Sequence, residues 1–117
     1  MKVFTMLALA AGAYAATDQQ NCKHKTKGGH TITAIEAFCS NTGIVVPSAY
    51  AANGKSSGGQ KVGVRGNCSP GQWVPQKYCL AQLYHMCATS PDDHGNGVTK
   101  YGRNNCQDFY ISGNINP

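Results

Sequence analysis

The chain predicts an α+β fold: a small disulfide-stapled sandwich in which two helices pack on one face of a mainly antiparallel sheet. Three observations carry that prediction. Two segments place apolar residues at helical spacing. The other apolar residues fall in short β-branched or alternating runs. Six cysteines follow an amino-terminal stretch with the layout of a secretory signal.

That stretch is residues 1–16. Lys2 precedes an apolar run that ends in Ala13-Tyr14-Ala15, an A-x-A cleavage site. The run is too short and wrongly flanked for a membrane span. It predicts a signal peptide, a secreted extracellular protein and one domain over 17–117.

The mature chain opens polar and basic, with Lys23, His24, Lys25 and Lys27 close together. His30–Ser40 carries Ile32, Ile35, Phe38 and Cys39 on one helical stripe. Thr33 and Glu36 form a T-x-x-E capping box, which makes Thr33 the expected N-cap. Asn41-Thr42-Gly43 supplies the stop, with Gly43 free to take positive φ. Ile44-Val45-Val46 suits a strand that Pro47 ends or confines to an edge. Asn53–Gln60, NGKSSGGQ, predicts a flexible loop. Lys61–Cys68 alternates, with Val62 and Val64 on one face and Arg65 on the other.

Ser69-Pro70-Gly71 is a turn. Pro75 suits the first turn of a second helix, whose stripe runs Cys79, Leu80, Leu83, Tyr84, Met86, Cys87. Ser90–Gly97 is a long polar turn, and Val98–Tyr101 fits a short strand. Cys106–Ser112 alternates, with Phe109 and Ile111 opposite Asp108 and Tyr110. The tail from Gly113 to Pro117 is expected to fray.

A domain of this size buries only about two thirds of its unfolded surface, so its core is modest. Cys22, Cys39, Cys68, Cys79, Cys87 and Cys106 are expected to form three disulfides, each worth about 2–4 kcal/mol. Cys79 and Cys87 on one helix lie roughly 12 Å apart, beyond the reach of a disulfide. Each must therefore staple the second helix elsewhere: to Cys39, to Cys22, or to a strand through Cys68 or Cys106.

Without Lys2 the mature chain has nine basic against five acidic side chains, a net charge of +4. Such a charge suits an anionic surface and also simply keeps a protein soluble. His24 and His30 beside lysines allow a ribonuclease-like acid–base pair, with Glu36 as a candidate base, but the capping box already explains Glu36. Asp92-Asp93-His94 has metal-donor atoms, yet these are also ordinary turn residues. No C-x-x-C pair, G-x-S-x-G elbow or phosphate loop occurs. Trp73, the lone tryptophan, is expected to cap the core rather than serve as a ligand platform. Asn67-Cys68-Ser69 is formally a glycosylation sequon of low expected occupancy.

The order of these features resembles a known group. A cysteine stands near the mature amino terminus in Asn21-Cys22. A first helix is followed by a strand ending GVRGNC, Gly63–Cys68. A second helix is followed by a closing strand, YGRNNCQDFYISGN, Tyr101–Asn114. This is similar to the small secreted α/β-sandwich proteins of fungi, which include the killer toxins of smut fungi and the necrosis-inducing effectors first described from a tomato leaf mould. The resemblance implies the sandwich fold and a role in host or competitor interaction. It assigns no functional residue.

The expected function is that of a secreted fungal effector in the host apoplast that acts by binding, not catalysis. The alternatives are a killer-type toxin acting at a membrane target, and a secreted ribonuclease-like or glycan-binding protein. No cofactor or metal is expected, and no catalytic residue is assigned. Lys23, His24, Lys25 and Lys27 are the candidate binding residues, for a host or competitor protein or an anionic surface. No nucleic-acid partner and no membrane span are expected, and the protein is expected to be a monomer.

Overall fold

The computed structural model describes residues 17–113. The expected signal peptide, residues 1–16, and the last four residues of the tail lie outside that range. A first helix, α1, covers residues 17–23. It is followed by α2 (Gly28–Cys39), β1 (Val45–Val46), α3 (Ala49–Asn53), β2 (Lys55–Ser57) and β3 (Gln60–Gly66). Then come β4 (Gln72–Trp73), α4 (Gln76–Thr89), β5 (Gly97–Tyr101), a 3₁₀ turn (Arg103–Asn105) and β6 (Gln107–Ser112).

The main sheet has the order β2-β3-β6-β5 and is antiparallel throughout. On its inner face Val62 and Val64 of β3 pair with Ile111 and Phe109 of β6, and all four are buried. Helix α2 covers β2 and β3, α4 covers β5 and β6, and the two helices touch each other. This is the predicted two-layer sandwich. Phe38, Ile35 and Leu83 fill the space between the layers. The outer face carries Arg65, Asp108 and Lys100 in one cross-strand row. Beside that row Tyr110 is buried, with its hydroxyl donating to the Ala52 carbonyl at 2.8 Å.

The six cysteines form three bonds: Cys22–Cys87, Cys39–Cys79 and Cys68–Cys106. Cys79 and Cys87 thus staple α4 to α2 and to α1, as their spacing on one helix requires. The third bond joins the end of β3 to the start of β6. Three disulfides fit an extracellular protein. Among the described residues no helix is long and apolar enough to cross a membrane.

Several local expectations are corrected. Helix α2 starts at Gly28, five residues before Thr33, and its N-cap is Lys27 in the left-handed region at φ 59°. Thr33 therefore lies inside the helix, where its hydroxyl donates back to the Gly29 carbonyl at 3.0 Å. Gly43 ends the segment without a positive φ, its N–H donating to Asn41 Oδ1 at 2.8 Å. NGKSSGGQ is not a free loop. Lys55–Ser57 pairs with Gln60–Val62, and the hairpin turns on Gly58 and Gly59 at φ 56° and 88°. Both turn residues have positive φ, the requirement of a type I′ hairpin, and glycine meets it without strain. The polar opening is also ordered. Asp18 Oδ2 sits 3.2 Å from His85 Nδ1, and Cys22 anchors the end of α1 to α4.

Candidate functional site

The basic segment is a tight turn between α1 and α2, bolted beneath by the Cys22–Cys87 bond. The Thr26 N–H donates to the Asp93 carbonyl at 2.9 Å. Lys25 is the only half-buried member, and its ammonium donates to the carbonyls of Ser90 (2.6 Å) and Asp92 (3.3 Å). It is committed to joining two turns. Lys23, His24 and Lys27 are exposed. The structure thus brings the four candidate residues onto one anchored turn and leaves three of them open to a partner.

The other ionisable candidates have local partners. Asp92 Oδ2 accepts from the backbone N–H groups of His94 (2.9 Å) and Asn96 (3.1 Å). These amides, Asn96 first, hold its carboxyl below the usual carboxylate range. Asp92 is a turn-former, and among the described residues no three His, Cys, Asp or Glu side chains converge on a metal-sized site. His30 Nδ1 meets Ser57 Oγ at 3.3 Å, with its ring over Gly58.

Glu36 caps nothing. It accepts from Tyr84 Oη at 2.7 Å and from Gln19 Nε2 at 3.1 Å. Burial, then the bond to Glu36 and its charge, push the Tyr84 phenol far above its ordinary range. The fold keeps Tyr84 neutral, so its contribution is complete below about pH 10 and is lost as pH rises further. Tyr84→Phe is expected to cost about 1 kcal/mol at neutral pH. It should also shallow the alkaline loss of stability, part of which remains with Tyr50 and Tyr110, both raised by burial. Denaturation midpoints measured against pH check both effects.

Among the described residues Val45, Trp73, Tyr78 and Val98 are the exposed large apolar side chains, and Val45 and Trp73 face each other across one ribbon. Strands β1 and β4 form a separate two-stranded ribbon, with Val45 facing Trp73 and Val46 facing Gln72. Val46 is buried, so strand alternation turns its neighbour Val45, and Trp73 opposite, to solvent. Trp73 is 61% exposed, a correction to its expected place as a core cap. It is nevertheless fixed, because Nε1 donates to the Thr42 carbonyl at 2.8 Å. With its N–H engaged and more than half its surface open, the indole presents apolar ring to water.

The ribbon is bolted to the 3₁₀ turn. Gln72 Oε1 accepts from the Arg103 N–H at 3.1 Å and from Gln107 Nε2 at 3.0 Å. Gly102, at φ 81°, makes this approach possible: a Cβ there would lie 2.7 Å from Gln72 Oε1. Below, Cys68–Cys106 and the Asn67 N–H to Cys106 carbonyl bond (3.2 Å) close the base. Asn104 and Asn105 both take left-handed conformations, at φ 58° and 55°. Sparsely populated backbone of this kind concentrates at ligand-contacting segments. Two shallow depressions of about 460 and 320 Å³ share Pro70, Gln72 and Arg103 between them. Trp73 borders the first, while Asn67 and Ser69 border the second.

A larger groove of about 540 Å³ lies between α4 and the edge strand β5, bounded by Met86, Thr89, Val98, Thr99 and Tyr101. Its one aromatic, Tyr101, is half-buried with its ring edge-on to Phe109, centroids 4.9 Å apart, whereas Trp73 stands open. The class of molecule defined by fold and site is therefore a disulfide-stapled α+β sandwich with a rigid aromatic–amide face at one end and a basic turn elsewhere. No protein-family profile, characterised relative or solved structure matches this chain.

Sequence reasoning missed the Trp73 face because it needs the pairing of β1 with β4. A signal was present: Gln72-Trp73-Val74 sits in extended chain, and a buried Val74 turns Trp73 outward by the two-residue period.

Proposed function

We propose that the protein is a secreted fungal effector, a host-interaction factor that acts by binding rather than catalysis, with the Trp73–Arg103 face as its specific contact. The observation that carries this reading is the fixed, 61% exposed Trp73 on a disulfide-braced ribbon. Tryptophan and arginine are the residues most often found at binding hot spots, and a rigid contact loses little entropy on association. Lys23, His24 and Lys27 supply longer-range attraction to an anionic host surface, which salt screens. The partner is a surface component of the host.

The test compares purified wild type, Trp73→Ala, and a Lys23→Gln/Lys27→Gln double variant that spares the structural Lys25. Each is infiltrated into leaf tissue at matched concentration and applied to competing fungi. Trp73→Ala is expected to need about tenfold or more protein for the leaf response, equivalent to about 1.4 kcal/mol of binding. The lysine double variant is expected to lose less, and mainly at low salt. A full leaf response from Trp73→Ala would remove this face from the active surface. Growth inhibition of fungi with no leaf response would favour a toxin over a host-interaction factor. Turnover of RNA by the wild type would overturn the non-catalytic reading.

A further inference from the structure

We infer that the Trp73–Arg103 face takes a neutral polysaccharide of β-linked, gluco-configured pyranoses; this rests on the reading of that face as the ligand contact. Ligand and face are complementary in chemistry. Such pyranoses carry their hydroxyls equatorially, so each ring offers an apolar C–H face and a polar rim. The face on the protein has the same two parts. Trp73, with Val45 directly across the ribbon, is the apolar part. Asn67, Ser69 and Asn104 are the polar part, and all three are exposed.

Their side chains make no hydrogen bond within the described residues, so amide and hydroxyl groups stand ready for hydroxyl partners. A flat apolar body with a few placed polar groups is how small-ligand sites combine affinity with orientation.

Charge decides against the other ligands that stack on tryptophan. The depressions are bordered by one cation, Arg103, and by no acid. Single-stranded nucleic acid is held by a positively charged groove that follows its phosphates, and one arginine does not make such a groove. The remaining lysines of the amino-terminal cluster sit on the turn before α2, braced by a different disulfide. An acidic polysaccharide would find the same shortage of cations. Arg103 has five N–H donors and suits neutral hydroxyls as well.

The face is also open and shallow rather than enclosed, which fits a polymer lying across it. Two depressions sharing Gln72 and Arg103 provide neighbouring seats along one line of chain.

The test is calorimetric titration of the oxidised protein with three probes: hexasaccharides of β-1,3-glucose, β-1,4-glucose and β-1,4-N-acetylglucosamine. Polygalacturonate and a single-stranded oligothymidylate serve as charged comparators. At least one hexasaccharide is expected to bind, with little dependence on salt. Trp73→Ala should weaken it by about tenfold to a hundredfold, the range found for stacking partners removed by truncation. Trp73→Phe should recover part of the loss, and Arg103→Gln should weaken binding less than Trp73→Ala.

A denaturation midpoint near that of wild type shows that Trp73→Ala folds. If it does not, the Trp73→Phe and Arg103→Gln titrations decide the matter. Failure of all three hexasaccharides to bind overturns the glycan inference, as does salt-steep binding of either comparator in their place. If Trp73→Ala still loses the leaf response in that case, the face stands as the contact and only its ligand class falls. Hexasaccharide binding untouched by Trp73→Ala and Arg103→Gln would remove the face itself.

Discussion

Phe38→Ala is expected to lower the free energy of unfolding by about 3–5 kcal/mol. Phe38 is fully buried at the end of α2. Its ring stacks on Tyr50 with centroids 5.3 Å apart, and its carbonyl accepts the Tyr50 hydroxyl at 2.7 Å. Truncation leaves a cavity where α2, α3 and the sheet meet. The site collapses poorly, because the next residue, Cys39, is tied to Cys79 in α4. Lys55→Ala is the matched comparison: Lys55 is exposed, with its ammonium 5.3 Å from the same Tyr50 ring. It should cost less than about 1 kcal/mol, as an exposed cation–π contact does. Chemical denaturation of both oxidised variants measures the difference. Equal midpoints would mean that α2 does not present Phe38 to the core.

Replacing Cys22 and Cys87 together by alanine is expected to cost about 4 kcal/mol on the loop-entropy account for a separation of 65 residues. The change is also local. Without that bond, the ties of α1 and the basic turn include Asp18 beside His85, Gln19 Nε2 on Glu36, the Thr26–Asp93 backbone bond and the Lys25 ammonium on two carbonyls. These are few and partly exposed. Hydrogen exchange should therefore rise in residues 17–27 and 90–97 well before the sheet opens. Unchanged protection in both segments, with an unchanged midpoint, would show that α1 docks without the disulfide.

The parts of the fold with a strong period were legible in the sequence. Leu83, Cys79 and Cys87 mark the buried stripe of α4, while Val62, Val64, Phe109 and Ile111 mark the inner face of the sheet. The eight-residue gap between Cys79 and Cys87 excluded one pairing and required two staples, which is what the pairing to Cys39 and Cys22 provides. Elements held by partners rather than by their own residues were not legible. Lys55-Ser56-Ser57 has no apolar residue and is a strand because β3 lies beside it; Gly58-Gly59 is the sequence mark of that hairpin. Helix α1 is polar and is tied to α4 by the Cys22–Cys87 bond and by Asp18 beside His85.

The Thr33–Glu36 pattern met the capping-box rule inside a helix that had already begun. The rule specifies a spacing and does not specify where the first turn lies. The candidate site divides in the same way. The basic turn was visible as charge. The Trp73 face was not, because its exposure follows from a ribbon between residues far apart in the chain.

Hydroxyl-radical footprinting of the protein, free and bound to intact host tissue, shows which face makes the contact. Trp73 and His24 report on the two faces within one experiment: Trp73 is exposed at the ribbon, and His24 is exposed on the basic turn. Binding is expected to protect Trp73 strongly from oxidation while His24 changes little. Protection of His24 with Trp73 as reactive as in the free protein would contradict this expectation, and would move the contact to the basic turn.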